Sequence, residues 1–469
     1  MHRPCTGRPR AFLAPALALL TLAGIPGCVL KPDGTSEERA RVDAAGLAYA
    51  KPYEQRSIPD LPPHPTWQLV LQRAFLANGD VEAAFERWAA AMERVTAAGA
   101  YPNANLSVGY SYMASGGDMR AIDRSTLSLG FDPAMSLVLP VKVRRAAEAA
   151  LHEAQAAGAE FRVARFDLQK RVLFAWADYK AQAALTSIRE QDATLRRLSL
   201  ETARITAAST GASADLVDAE AALAMAENDQ RMSEAELQSM RAMLNGLLAR
   251  DADAPLGLPE HEEQIPDVPD DATSLHAAVE SFPEVAVDVH RLEGRRDALA
   301  LARLRWLPDI SPTAMLTGTA SQAIGAMLTL PTNAVQIGAA ISESRAGVRE
   351  AEATLRQKRS DRMGEYISLL ILARDARRRA DFASSTLVPS TERLAALRER
   401  AYGAGSGDLS EVLDSRRMTL QARTALIEAE RSYEKSMIDI ACCLGIGLDQ
   451  VGSPTESPAA PLVHPEPTP

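Results

Sequence analysis

Two stretches of the chain repeat one apolar rhythm. Leu216, Leu223, Leu237 and Leu244 recur at multiples of seven, with Gln230 in the remaining place. Val412, Thr419, Leu426, Tyr433 and Ile440 do the same, displaced by 412 − 216 = 196 residues. A seven-residue spacing keeps one helical stripe against a partner helix. The displacement also pairs Leu248-Ala249 with Leu444-Gly445. Upstream, Asn78-Gly79-Asp80-Val81 resembles Phe282-Pro283-Glu284-Val285, and Tyr101-Pro102 resembles Leu307-Pro308, at offsets of 282 − 78 = 204 and 308 − 102 = 206. The pattern predicts a tandem duplication with small loop changes.

Between these marks the period changes. Leu106, Val108, Tyr110 and Tyr112 alternate with Asn105, Ser107, Gly109 and Ser111, and Leu127, Leu129 and Phe131 alternate with Ser128 and Gly130. These are strands with one apolar face, turning around Gly116-Gly117-Asp118 and bounded by Pro133 and Pro140. The counterpart, Ile310–Pro331, predicts shorter strands with a turn near Thr319–Gln322. A long helical run follows each hairpin, over 141–206 and 341–401. Some sixty residues at ~1.5 Å each give roughly 90–100 Å, far beyond an ordinary globular helix. Pro389 predicts a kink in the second run.

The division that results is a leader over 1–27, an extended tether over 28–65, a first repeat over 66–250, an acidic Pro-rich linker over 251–271, a second repeat over 272–447 and a Pro-rich disordered tail over 448–469. The first repeat holds a helix from Thr66 to about Ala98, a hairpin over 103–140, the long helix 141–206 and a coil over 212–250. The second holds a helix, a hairpin over 309–331, the long helix 341–401 and a coil over 408–447.

Composition narrows the function classes. Aromatic residues make up only 5% of the chain, which suits close helix packing better than a large enzyme core. The amino terminus carries Arg3, Arg8 and Arg10 ahead of the apolar run Ala11–Ala23, which is too short for a permanent membrane span. Ile25-Pro26-Gly27-Cys28 resembles a bacterial lipobox, with Pro26 in place of the usual small residue. That resemblance makes Cys28 the acylated first residue, and Val29 after it favours the outer membrane. The other reading is an ordinary signal peptide with an incidental Cys. Removing the leader takes the net charge from −10 to −10 − 3 = −13, a poor nucleic-acid binder. Four Cys make no disulfide framework.

A two-stranded hairpin is not stable alone, and four amphipathic strands are too few to close a membrane barrel. Closure therefore requires copies of the same chain, and three would give twelve strands. At this point the chain resembles the outer-membrane efflux proteins, the TolC-type channels, from Trp67 to Gly445. The carriers are Tyr402-x-x-Gly405 before Glu411-Val412-Leu413-Asp414-Ser415-Arg416, and Gly211 before Asp215-Leu216-Val217-Asp218-Ala219-Glu220. Leu244-Asn245-Gly246-Leu247-Leu248-Ala249-Arg250 is similar to the LNxLLGR ending of the heavy-metal and multidrug branch, with Ala249 replacing Gly.

The resemblance implies a mainly α fold with a transmembrane β part. Long antiparallel coiled-coil helices form an α-barrel, and each of three copies gives four strands to a twelve-stranded barrel. It implies a passive trimeric exit duct, lipid-anchored in the outer membrane and extending into the periplasm. The duct would dock through a periplasmic adaptor onto an inner-membrane pump, with no cofactor, metal or catalysis. Two other readings are a periplasmic lipoprotein scaffold or adaptor, and a type I secretion exit duct.

The same resemblance nominates a periplasmic gate. Glu411 and Asp414, with Asp215 and Asp218 in the first half, would ring the lumen beside the tip turns at Gly211, Gly405 and Gly407, and Tyr402 would help close it. Repeated carboxylates at a constriction favour cations. The structural alternative is that Asp408-x-x-Glu411 is a capping box and that first-turn carboxylates suit the helix dipole. Tyr402 reads equally as a coil-packing aromatic. Gly407 stands where the family often has Arg, so a salt-bridge lock is not expected and the tip would be softer. Gly403-x-Gly405-x-Gly407 has no preceding strand and no Lys, so it reads as a helix turn rather than a phosphate loop. Cys442-Cys443 and the methionines Met225, Met232, Met240 and Met243 read as packing.

Overall fold

The computed structural model describes residues 29–100, 106–114, 124–131, 138–210, 213–259, 282–317 and 321–448. The leader, Cys28, Gly211, the Gly116-Gly117 turn and the tail after Leu448 lie outside them. Helix α1 spans Thr35–Gly46, α2 Trp67–Ala77 and α3 Gly79–Gly99. Strands β1 (Leu106–Tyr112) and β2 (Ser125–Phe131) precede α4 (Pro140–Thr210) and α5 (Ser213–Leu247). The second half runs α6 (Pro283–Arg303), β3 (Asp309–Thr317), β4 (Ser321–Thr329), α7 (Ala334–Phe382), α8 (Val388–Gly403) and α9 (Leu409–Cys443). The duplication is exact in the coils. Both α5 and α9 have 35 residues, and their ends are displaced by 409 − 213 = 443 − 247 = 196.

Contacts divide the chain into two compact units. The first holds residues 1–45, 85–159 and 287–356; the second holds 46–84, 160–286 and 357–469. In the first unit all four strands form one antiparallel sheet in the order β1-β2-β3-β4. The two hairpins meet through β2 and β3, with Leu129 opposite Ala314. The second hairpin is the longer one, with nine-residue strands against seven. Its small residues, as in Ala323, Gly325 and Ala326, blur the alternation on which the shorter expectation rested.

The segment 28–65 is not extended throughout. Pro32 and Pro52 bracket a Pro-free run that forms α1, and Val29 pairs with Ala100. In the first unit the buried Glu38 accepts from Trp88 Nε1 at 2.9 Å and from Arg41 at 2.8 Å. Arg39 donates to Glu93 at 2.8 Å. In the second unit Arg56 reaches both oxygens of Glu82, at 2.8 and 2.5 Å. That hydrogen bonding holds the Glu82 carboxyl below its usual range. Thr66 caps α2 by accepting from Leu69 N at 3.4 Å, and Asn78 separates α2 from α3.

The long helices are longer than the sequence reading, 140–210 and 334–403, the latter interrupted. The break that Pro389 predicts is a π-turn at Ala383–Leu387 immediately before α8. Proline has no N–H for the helical ladder, and a widened turn accommodates the missing bond. In the second unit Ile188 and Leu195 of α4 pack with Leu413 and Leu420 of α9, both pairs seven apart. The expected stripe of α9 is buried at Val412, Thr419 and Ile440, whereas that of α5 is fully buried only at Leu244. A polar knot joins α4 to α5: Gln182 Nε2 donates to Ser233 Oγ at 3.0 Å, and Thr186 and Ser233 share a hydroxyl contact of 2.8 Å. Fully satisfied buried polar groups of this kind fix helix register.

Candidate functional site

Of the residues the sequence nominates, Tyr402, Gly405, Gly407, Glu411 and Asp414 gather around the α8–α9 turn, whereas Asp215 and Asp218 stand at the start of α5. Its geometry is a Schellman motif. Gly405, at φ +73°, donates to Tyr402 O at 2.9 Å, and Ser406 N donates to Ala401 O at 3.0 Å. Gly407 is held for a different reason: a Cβ there would lie 3.0 Å from Tyr402 N and 3.2 Å from Ala401 C. The tip is therefore tightly packed at Gly407, where flexibility was expected. Asp408 caps α9, accepting from Ser410 N at 3.3 Å and from Ser410 Oγ at 2.9 Å.

The carboxylates next to this turn have partners of their own. Glu411 does not reach back to close a capping box; its Oε2 accepts from Arg398 of α8 at 2.6 Å. Asp414, 71% exposed, takes Arg417 at 3.0 Å. Two more pairs link α8 and α9, Arg416–Glu399 and Arg423–Glu392, both at 2.8 Å. These pairs are about half exposed, so each is worth at most ~1 kcal/mol. Asp215 and Asp218 are exposed on the first turns of α5, and Tyr402 is exposed. An open groove of about 580 Å³ runs between Glu190–Leu195 of α4 and Glu392–Glu399 of α8, with Arg416, Thr419 and Arg423 of α9 lining it.

The methionines depart from the packing expectation. Met225, Met232 and Met243 are 69%, 55% and 66% exposed within this chain, and only Met240 is half-buried. Residues 7 and 11 apart fall within ~20° on a helix, so these three form one apolar line. In α7, Ile367, Ile371 and Leu372 are also exposed.

The LNxLLxR ending has a structural purpose that its spacing alone did not disclose. Asn245 is fully buried, and its Nδ2 donates to Ala252 O and Ala254 O at 3.2 and 2.9 Å. Arg250 donates to Asn245 Oδ1 at 3.2 Å and to Pro255 O at 3.1 Å. Arg73 of α2 donates to Leu248 O at 3.3 Å, satisfying a carbonyl that the end of α5 leaves open. The first part of the linker is thus folded onto the repeat, and residues 260–281 lie outside the described ones.

Ala249 has φ +48°, where its counterpart Gly445 has φ +70°. Both follow a Schellman pattern, with Arg250 N donating to Asn245 O and Ile446 N to Ala441 O, each at 2.9 Å. A left-handed residue with a Cβ is strained by ~1–2 kcal/mol, partly offset by the lower unfolded-state entropy of Ala. Ala249→Gly is expected to stabilise the protein by ~0.5–1 kcal/mol. The urea midpoint should rise; a fall would contradict the strain assigned to this residue.

Cys442 and Cys443 line a small cavity of about 70 Å³ with Asp439, Lys170, Glu284 and Arg362. Lys170 pairs with Asp439 and Arg362 with Glu284. Burial pushes both thiols up to about 12. Gln169 Nε2 donates to Cys442 Sγ at 3.3 Å and to Ile446 O at 3.0 Å. At pH 8 the thiolate fraction should be ~1,000-fold below that of a free cysteine. Iodoacetamide should therefore label both only after unfolding, as peptide mass spectrometry would read. Rapid labelling of the native chain would count against this burial. Among the described residues no group of three or more His, Cys, Asp or Glu could hold a metal, and no helix is long and apolar enough to cross a membrane.

Residues 275–445 match the family model described as outer membrane efflux protein. Over that part the chain is similar to this family, in agreement with the motifs read from the sequence. The fold is that of solved outer-membrane proteins. VceC from Vibrio cholerae is 17% identical with a TM-score of 0.66, the match covering 81% of this chain and 96% of that one. The open MtrE outer membrane channel of Neisseria gonorrhoeae is 19% identical with a TM-score of 0.66, covering 84% and 93%. The CmeC outer membrane channel of Campylobacter jejuni is 16% identical with a TM-score of 0.64, covering 84% and 91%. No curated protein sequence matches the chain.

Proposed function

We propose that this protein is the outer-membrane exit duct of a tripartite efflux system, working as a homotrimer with an inner-membrane pump and a periplasmic adaptor. The observation that carries the reading is the open sheet. Among the described residues β1 and β4 are its edges, each paired on one side only. In a bilayer every backbone donor and acceptor must be paired, so an open four-stranded sheet needs further strands to close it. The family match over 275–445 supports the same reading. The lines of exposed Met on α5 and of Ile and Leu on α7 offer apolar surface that adjacent copies could cover. A head-to-tail contact of two unlike surfaces closes into a ring when its rotation returns to the start.

On this reading Cys28 carries the lipid anchor in the outer membrane. Asp414, Glu411, Asp215, Asp218 and Tyr402 belong to the periplasmic gate, with tip turns at Gly211, Gly405 and Gly407. Because Glu411 and Asp414 are paired within the chain, Asp215 and Asp218 would carry most of any cation preference. The Leu244–Arg250 stretch favours the heavy-metal and multidrug branch. A soluble scaffold would need cover for both sheet edges, so it fits less well. The test is purification in detergent followed by planar-bilayer recording. A trimer with cation-leaning conductance is the expected result; a water-soluble monomer without conductance would overturn the reading.

A further inference from the structure

A second cluster of titratable groups lies in the first unit, away from the tip. Helix α4 leaves the sheet after β2, and α6 leads into β3. Three tiers tie them together. Lys142 Nζ donates to Leu307 O at 2.8 Å and to Asp309 Oδ1 at 2.9 Å, at the root of β3. One turn on, Arg145 Nη1 donates to Asp297 Oδ1 at 3.0 Å. Then His152 Nε2 faces Asp297 Oδ2 at 3.4 Å. The close approach is allowed by Gly294, where a Cβ would meet His152 Cβ at 3.4 Å.

The protonation of this contact is constrained. His152 Nδ1 lies 3.0 Å from Gln155 Oε1, and with that oxygen as the acceptor Nδ1 carries the ring proton. In the neutral ring that leaves the Nε2 lone pair pointing at a carboxylate oxygen. The contact becomes attractive only when a proton sits between Nε2 and Oδ2. The other charges facing it are Arg145 and Glu148 of α4, and Glu148 is itself held by Arg144 at 2.9 Å and Arg145 at 2.8 Å. We propose that His152 and Asp297 form an acid-tightened latch between α4 and α6, clamping the root of the sheet more firmly in acid than near pH 8.

The attraction needs a cationic ring and an ionised carboxylate. Histidine is the side chain whose ordinary charge change falls in the physiological range, so the latch tightens as a proton is added at Nε2. Burial raises the Asp297 carboxyl and the facing His152 opposes that rise. Protonation of Asp297 itself, at still lower pH, would remove the charge and release the latch.

The test uses the full chain in detergent. Hydrogen-exchange protection over 142–152 and 297–309, corrected for intrinsic rates, is compared at about pH 5.5 and pH 8. In the wild type, protection should be ~2–5-fold greater in acid, the scale of a partly exposed ion pair. In His152→Gln and in Asp297→Asn the two values should converge. His152→Asn replaces the glutamine variant if that fails to fold, and Asp297→Asn reports from the other side. Persistence of the wild-type pH dependence in both kinds of variant, or greater protection at pH 8, would overturn the latch.

Discussion

Trp88→Ala is expected to cost ~3–5 kcal/mol and to release the amino-terminal strap. Trp88 is 6% exposed and stands edge-on to Phe85, with ring centroids 6.5 Å apart. Its indole N–H is also one of two donors to Glu38, a carboxylate 3% exposed. Truncation opens a cavity and leaves that buried charge with Arg41 as its remaining donor among the contacts described above. Gly158 belongs to the same clasp: a Cβ there would lie 2.8 Å from the indole and 3.0 Å from Glu38 Oε1. Gly99 does as well, since a Cβ would come within 2.4 Å of Leu30 O. Chemical denaturation reads the stability, and limited proteolysis between residues 29 and 46 reads the strap. Unchanged cleavage in Trp88→Ala would mean that α1 is held by other contacts.

Gly257→Ala is expected to be the most damaging single methyl, costing ~3 kcal/mol or more. A Cβ at Gly257 would lie 1.8 Å from the carbonyl oxygen of Pro63, a backbone atom that cannot rotate aside. The same segment is pinned on both sides, by Tyr179 OH donating to Leu256 O at 2.6 Å and by His64 Nδ1 at 2.8 Å from Leu258 O. Relief requires the linker to leave its place, which gives up the Tyr179 bond as well. Gly364 is the control. It lies within α7 with nothing inside 4 Å of a Cβ, so Gly364→Ala should stabilise by up to ~1 kcal/mol. Thermal melts of the two variants should therefore move in opposite directions. A neutral Gly257→Ala would show that the linker has an alternative seat.

The tip turn and the coils were legible to different degrees. The heptads and the 196-residue displacement located α5 and α9 to within four residues at each end, because a helix states its period in every turn. Gly405 was legible as a turn for a similar reason: a left-handed residue at a helix end asks for glycine. The salt-bridge partners of Glu411 and Asp414 were not. Glu411 meets Arg398 across a turn, and nothing in either residue's neighbourhood marks the other. The second hairpin was underestimated because alanine and glycine carry little alternation. The methionines were read as packing because apolar spacing shows that a face exists without showing what covers it.

From the sequence alone came the tandem repeat, the helix–hairpin–helix order and the resemblance to an efflux channel, since local periodicity and turn chemistry are written residue by residue. Only the tertiary structure joined β2 to β3, folded the linker onto Tyr179, and set His152 against Asp297. Such contacts link residues scores or hundreds of positions apart, and their energies depend on distance and burial that no local pattern encodes.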